Sequence, residues 1–332
     1  MSFLFLNRAD VEALLPMEEC IEVIDAALRA LARGQAFQPL RSAVWLPDRH
    51  ALVGLMPGAL DGEGADGRAI AGAKVLMVVP DNYLHGEESH LGVVLLFEQE
   101  RGKPLAILDA GSVTAIRTAA ASGVATRALA REDAGDLAIL GSGVQARSHL
   151  EAMRAVRPLR RVRVWSQRPD SARRFADWAS EHFGIPIEPR NSAREAVEGA
   201  DLICTVTAAS EPVLEGEWIA SGAHINAVGA CRPTTRELDA AAVARSRLYV
   251  DRRESALAEA GDFLLACQEG AVGDDHILGE IGEVLEGKVP GRRSAEEVTL
   301  FKSLGIAVED LASGHYIYKK ALTAGRGIAL EL

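Results

Sequence analysis

The stretch that most constrains this chain is Asp136-Leu-Ala-Ile-Leu-Gly-Ser-Gly-Val-Gln-Ala-Arg-Ser-His149. Apolar residues Leu137–Leu140 run straight into Gly141-x-Gly143-x-x-Ala146, and a helical pattern follows at once. Strand, glycine turn and helix in that order are the context a dinucleotide-binding fingerprint requires. Gly141 permits the tight turn. Gly143 has no Cβ, so backbone can approach a pyrophosphate, and Ala146 is small enough for the helix to pack on the sheet. The helix's first N–H groups and its positive dipole end then face the phosphates. Ser142, Val144 and Gln145 belong to the same turn and count with the glycines as candidate cofactor contacts.

The rest of the chain alternates in a way that suits such a domain. Arg161–Ser166 reads as a strand, Ser171–Phe183 as a helix, Ile185–Pro189 as a strand and Ser192–Gly199 as a helix. Asp201–Thr207, His224–Val228 and Ser246–Val250 read as further strands, which predicts a right-handed parallel α/β sheet. Ahead of it, residues 10–33 carry apolar groups at helical spacing, with Asp10 as the expected cap and Gly34 as the stop. Short strand-like runs follow at Ser42–Leu46, Ala51–Pro57, Ala73–Val79, Gly92–Glu98 and Pro104–Asp109, predicting a mostly antiparallel sheet. A glycine-rich loop is expected over Gly58–Gly72. An alanine-rich helix over 112–130 crosses to the second domain, and Ser294–Leu311, on through Tyr318, reads as a final helix.

At 332 residues, the chain is long enough for two domains with sizeable cores. Its net charge of −11 argues against nucleic acid and against an anionic membrane surface. The first ten residues lack the basic region of a signal peptide, and no apolar run approaches a membrane span. Cys20, Cys204, Cys231 and Cys267 lie far apart with no CxxC pair, so reduced thiols, a cytoplasmic location and no metal site are expected.

Ordered matches run along nearly the whole chain. They include Gln38-Pro-Leu-Arg41, Gly72-Ala-Lys74, Leu108–Arg117 with the following Thr-Ala-Ala, and Leu140–Ser148. Further matches are Glu211–Trp218, Gly222–Gly229 with the following Ala, and Phe301–Asp310. On these the chain resembles the ornithine cyclodeaminase/mu-crystallin family, nearest its ketimine reductase branch. The resemblance implies a Rossmann-type NAD(P)-binding domain over 119–304. It also implies an α+β substrate and dimerisation domain built from 1–118 and 305–332, and a homodimer. The activities it implies are NAD(P)H-dependent reduction of cyclic ketimines such as Δ1-pyrroline-2-carboxylate, cyclodeamination of ornithine, or amino-acid dehydrogenation. Ligand holding without turnover is the mu-crystallin alternative.

Arg41, Lys74 and Arg117 match the family's substrate-contacting basic residues. An arginine can grip a carboxylate through two parallel N–H bonds. Lys74 sits in an apolar strand, where desolvation lowers its pKa towards the range useful for proton transfer. The plainer readings are that Lys74 snorkels to solvent, that Arg117 is a helix-surface charge and that Arg41 is a loop residue. The family's cyclodeaminases carry an aspartate where this chain has Cys231. A thiol cannot supply the negative charge that draws a protonated side-chain amine, so cyclodeamination is disfavoured and Cys231 reads as a packing residue.

Cofactor choice is expected at Ser166-Gln167-Arg168. No acid stands there for a ribose 2′-hydroxyl, and Ser166 with Arg168 suits a 2′-phosphate, so NADP(H) is preferred over NAD(H). A solvated turn is the alternative for Arg168. Thr207, Val228, Gly229 and Ser303 are further cofactor contacts by resemblance. His224 reads as a hydrogen-bonded core histidine, and His85 with His90 as part of a surface turn.

Overall fold

The chain builds one mostly antiparallel sheet from its first strands and last strand, and one wholly parallel sheet from its middle. The computed structural model describes residues 2–48, 50–62, 67–79, 82 and 89–331. They divide into two units, Met1–Arg117 with Gly305–Leu332, and Thr118–Leu304.

In chain order the strands are β1 (Ser2–Leu6), β2 (Ala36–Phe37), β3 (Ser42–Trp45), β4 (Leu52–Leu60), β5 (Ile70–Val78), β6 (His90–Glu98) and β7 (Pro104–Asp109). Next come β8 (Asp136–Leu140), β9 (Arg161–Trp165), β10 (Ile187–Pro189), β11 (Leu202–Thr205) and β12 (His224–Ala227). The last are β13 (Ser246–Val250), β14 (Ile277–Glu280), β15 (Val298–Lys302) and β16 (Ile328–Glu331).

The first unit holds one sheet in the order β16-β1-β7-β6-β5-β4-β2, with β3 also on β4. Its pairings are antiparallel except β1 with β7. Along β4, buried Met56, Gly58 and Leu60 alternate with more open neighbours, the signature of a sheet with one covered face. The covering helices are Met17–Ala32 and Ala307–Ala324.

The second unit is a fully parallel sheet in the order β10-β9-β8-β11-β12-β15-β13-β14. Strands β11 and β12 are buried at every residue, as sheets covered on both faces demand. The strand order reverses at β8, between β9 and β11. Rossmann-type sheets bind nucleotides at the carboxyl ends of the strands beside such a reversal.

The structure corrects several expectations. The helix expected over 10–33 is two helices, Arg8–Leu14 and Met17–Ala32, because Pro16 has no N–H to continue the first. Its cap is Asn7, whose side chain accepts from the Asp10 N–H; Asp10 answers from the third helical position, closing a capping box. The helix expected from Ser294 begins only at Ala307, and Val298–Lys302 is instead the buried strand β15, paired with both β12 and β13. The Gly58–Gly72 loop is shorter than expected, since β4 runs to Leu60 and β5 starts at Ile70. His85 lies outside the described residues. His90 opens β6 and meets Ser89 Oγ through Nδ1 at 2.8 Å. Among the described residues, no helix is long and apolar enough to cross a membrane.

Candidate active site

Strand β5 carries Lys74 at its centre, between Met56 of β4 and Val94 of β6. The side chain does not snorkel: it is 2% exposed. Its ammonium lies 2.8 Å from Asp310 Oδ2, donates to Asp310 Oδ1 at 3.0 Å and to Thr114 Oγ1 at 3.3 Å. Arg117, on the helix Ala110–Leu129, is 3% exposed and so is no surface charge. Its Nε donates to Asp310 Oδ1 at 2.8 Å, and its Nη1 to Glu309 Oε2 at 2.7 Å. Both carboxylates stand in the first turn of Ala307–Ala324, where the helix dipole favours negative charge. Two cations and two anions thus make a buried quartet, neutral as a set.

This qualifies the sequence reading of Arg117 as a two-pronged clamp. Two of its five N–H donors are committed to the protein's own carboxylates, and only the rest can meet a ligand. Gly305 explains the approach: a Cβ there would fall 2.4 Å from Arg117 Nη1, and its φ of +75° suits glycine alone. Arg41 is half-buried, and its charge is among those acting on Lys74.

Electrostatics set the two cations apart. Burial, then the Arg117 charge, pull the Lys74 pKa down to about 8, with Asp310 opposing and Arg41 adding to the fall. Burial also works against the Arg117 charge, but Asp310 and Glu309 outweigh it and raise its pKa.

In the second unit, the turn after β8 has the form the sequence predicts. Gly141 has φ +122°, and a Cβ there would sit 2.7 Å from the Val206 carbonyl. A Cβ on Gly143 would meet nothing within 4 Å, so that side of the turn is open. Gly143 caps the helix Val144–Val156 without any side-chain bond, Val144 is exposed, and Ala146 is buried. Gln145 contributes its carbonyl to His149 Nδ1 at 2.8 Å. Ser142 Oγ donates to Ser166 Oγ at 3.0 Å, tying the ends of β8 and β9 together. Gln167 and Arg168 are exposed where the helix Pro169–Phe183 begins. Buried Ser303 Oγ has no hydrogen-bond partner among the described residues. An uncapped helix start, an open glycine and an orphaned hydroxyl fit a dinucleotide.

Sequence reasoning missed the residue that organises this end of the sheet. Glu237, wholly buried, accepts from Thr205 Oγ1 at 2.8 Å, from the Thr207 N–H at 2.6 Å and hydroxyl at 2.7 Å, and from the Gly229 N–H at 2.7 Å. Asp262 accepts from the Glu237 and Leu238 N–H groups at 2.7 and 2.9 Å and faces Lys302 Nζ at 3.0 Å. Burial and then the Asp262 charge push the Glu237 pKa up. Val228 donates its N–H to Thr205 at 3.0 Å, and Cys231 Sγ donates back to the Val228 carbonyl at 3.3 Å, packed on the core. His224 is buried against Thr299 and Asn226, and burial first pulls its pKa down to about 3.

A parallel sheet with an open glycine turn at its order reversal defines a Rossmann-type dinucleotide-binding protein. The sequence profile of the ornithine cyclodeaminase/mu-crystallin family matches residues 1–325, and the chain belongs to that family. It is 37% identical over 329 residues to a Δ1-pyrroline-2-carboxylate reductase of Bacillus cereus, covering 99% of both. It is 40% identical over 318 residues to the ketimine reductase mu-crystallin of Mus musculus, covering 95% of this chain and 96% of the other. The fold matches Thermococcus litoralis Δ1-pyrroline-2-carboxylate reductase, solved with NADH and L-proline. The TM-score is 0.94 and the identity 39%, with 98% of this chain and 99% of that one covered.

Proposed function

We propose that the chain is a ketimine reductase, converting Δ1-pyrroline-2-carboxylate or Δ1-piperideine-2-carboxylate to L-proline or L-pipecolate with NAD(P)H. The observation that carries this reading is Lys74, a buried lysine held beside Arg117 with its pKa drawn down to about 8. A ketimine needs a proton on nitrogen before C2 accepts a hydride, and an acid of that strength supplies one near neutral pH. The remaining donors of Arg117, with Arg41, hold the substrate carboxylate. A reduced nicotinamide, when bound, supplies the hydride to C2. Its pyrophosphate would rest on the backbone of Gly141, Ser142, Gly143, Val144 and Gln145, with Thr207, Val228, Gly229 and Ser303 towards the nicotinamide. Ser166 and Arg168 favour a 2′-phosphate, so NADPH is preferred. Cyclodeamination is disfavoured because Cys231 stands where the reaction calls for a carboxylate.

Steady-state assays with both imines test this: oxidation of NADPH is expected, and no turnover between about pH 5 and pH 8 with either imine refutes it. Tritiated cofactor separates an enzyme from a holder, since label must reach C2. We also propose a homodimer in the cytoplasm. Val44, Val53 and Leu91 are exposed, and the register Val44–Val53–Met77–Leu91 lines them into one apolar row on the first unit's sheet. Sedimentation showing only monomer at micromolar concentration refutes the dimer.

A further inference from the structure

We propose that Asp310 is the positioning residue for proton delivery: it fixes the Lys74 ammonium against the strand and keeps it protonated for transfer to the substrate nitrogen. The proposal rests on the reductase reading above and assigns Asp310 a role exercised through Lys74.

The geometry carries it. Asp310 is wholly buried, and both of its oxygens lie within 3.0 Å of Lys74 Nζ. One of them, Oδ1, also accepts from Arg117 Nε, so one carboxylate orients both basic residues at once. Glu309 takes a second Arg117 donor. The charge on Asp310 is therefore not consumed by the guanidinium alone. Thr114 Oγ1 completes the cage from the helix Ala110–Leu129.

The carboxylate is itself held in place. Buried Gln38 accepts the Val308 N–H through Oε1 at 3.0 Å and donates from Nε2 to the Pro39 carbonyl at 2.9 Å. It thereby pins the first turn of Ala307–Ala324 two residues before Asp310. This explains why Gln38-Pro-Leu-Arg41 belongs with the site although Gln38 has no chemistry of its own.

The groups around Lys74 decide its protonation. Its strand neighbours Met56 and Val94 do not titrate. Arg117 and Arg41 disfavour the ammonium, Asp310 favours it, Glu309 is engaged by Arg117, and burial pushes the Cys20 thiol beside that pair up to about 12, so it stays neutral. Without Asp310, two guanidinium groups and burial would leave lysine neutral at the pH of turnover. In the step itself the proton leaves Lys74 Nζ for the imine nitrogen, and the neutral amine regains a proton from water before the next cycle.

An acid must be protonated to work, so the rate falls as pH rises through the Lys74 pKa. Removing the Asp310 charge destabilises the ammonium and moves that alkaline limb to lower pH. The test is the pH profile of kcat for wild type, Asp310→Asn and Asp310→Ser, with cofactor affinity measured by fluorescence titration. In both neutral variants the limb is expected to fall by about one pH unit or more, with cofactor affinity within about twofold. Asp310→Glu should keep the limb near its wild-type position. A limb that stays put in the neutral variants overturns the proposal, however slow they are, because a merely structural loss lowers the rate without moving it.

Thermal unfolding gives a readout independent of turnover. Asp310→Asn leaves Lys74 buried without its counter-charge, and adding Lys74→Met should restore much of the lost Tm. If the single variants do not fold, the double variant decides: a folded double supports the pairing and an unfolded one overturns it. A wild type that reduces neither imine fails the functional reading alone, and the unfolding arm still tests the pair.

Discussion

Each unit buries one lysine against one aspartate from a helix, and the two pairs behave in opposite ways. Lys74 meets Asp310 at 2.8 Å and Lys302 meets Asp262 at 3.0 Å, both almost without solvent. Burial lowers both pKa values, but next to Lys74 the second largest influence is a cation, Arg117. Next to Lys302, Asp262 and Glu237 favour the ammonium, and its pKa ends above the ordinary value. Burial alone therefore does not make an acid. The sign of the next neighbour decides whether a buried lysine can release its proton or serves as a permanent strut.

The contrast breaks or sharpens in the following ways. Lys74→Ala should lower kcat by about 10³-fold while NADPH still binds, the scale of losing a general acid. Unchanged turnover would make Lys74 a strut as well. Lys302→Met should act on folding instead. It leaves Asp262 and Glu237 buried without their cation, at a cost of about 3–5 kcal/mol in chemical denaturation. The alkaline limb of kcat in that variant should stay where wild type has it, near the Lys74 pKa of about 8. A limb displaced by Lys302→Met would erase the distinction.

Gly305→Ala probes the acid's surroundings without touching a charge. It forces a left-handed residue and a clash with Arg117 at a cost of about 2 kcal/mol. KM for the imine is expected to rise more than kcat falls, and a variant with unchanged KM would detach Arg117 from substrate binding. The smallest effect belongs to the second unit's surface. Arg168→Ala should shrink the preference for NADPH over NADH by about tenfold, a loss of about 1.4 kcal/mol. Equal affinities in wild type would remove the arginine from the cofactor site.

The fold was legible where local chemistry is self-contained. Gly141 to Ala146 needs only a strand, a turn and a helix within a few residues, and all three are present. Val298–Lys302 misled because a strand buried on both faces carries no alternation, and beside Ala307 it reads as the start of a helix. Arg117 stood out as a candidate site residue, but not the two carboxylates that occupy part of it. The partners sit 192 and 193 residues away in the chain, and no spacing rule reaches that far. Glu237 escaped notice for the same reason: its four bonds go to two strand ends that only the sheet order brings beside it.

The separation between Arg117 and Asp310 also sets a timetable for synthesis. A ribosome adding roughly 5–20 residues per second needs about 10–40 s to get from one to the other. During that interval the nascent chain carries Lys74 and Arg117 without their native partners Glu309 and Asp310. A desolvated pair of like charges is a poor nucleus, so the first unit's interior stays wet until the last helix emerges. The middle unit waits almost as long, because β15 lies between β12 and β13 in its sheet and emerges only just ahead of Asp310. Neither unit can therefore close before residue 302 has emerged, and Lys74 meets its counter-charge only with Asp310.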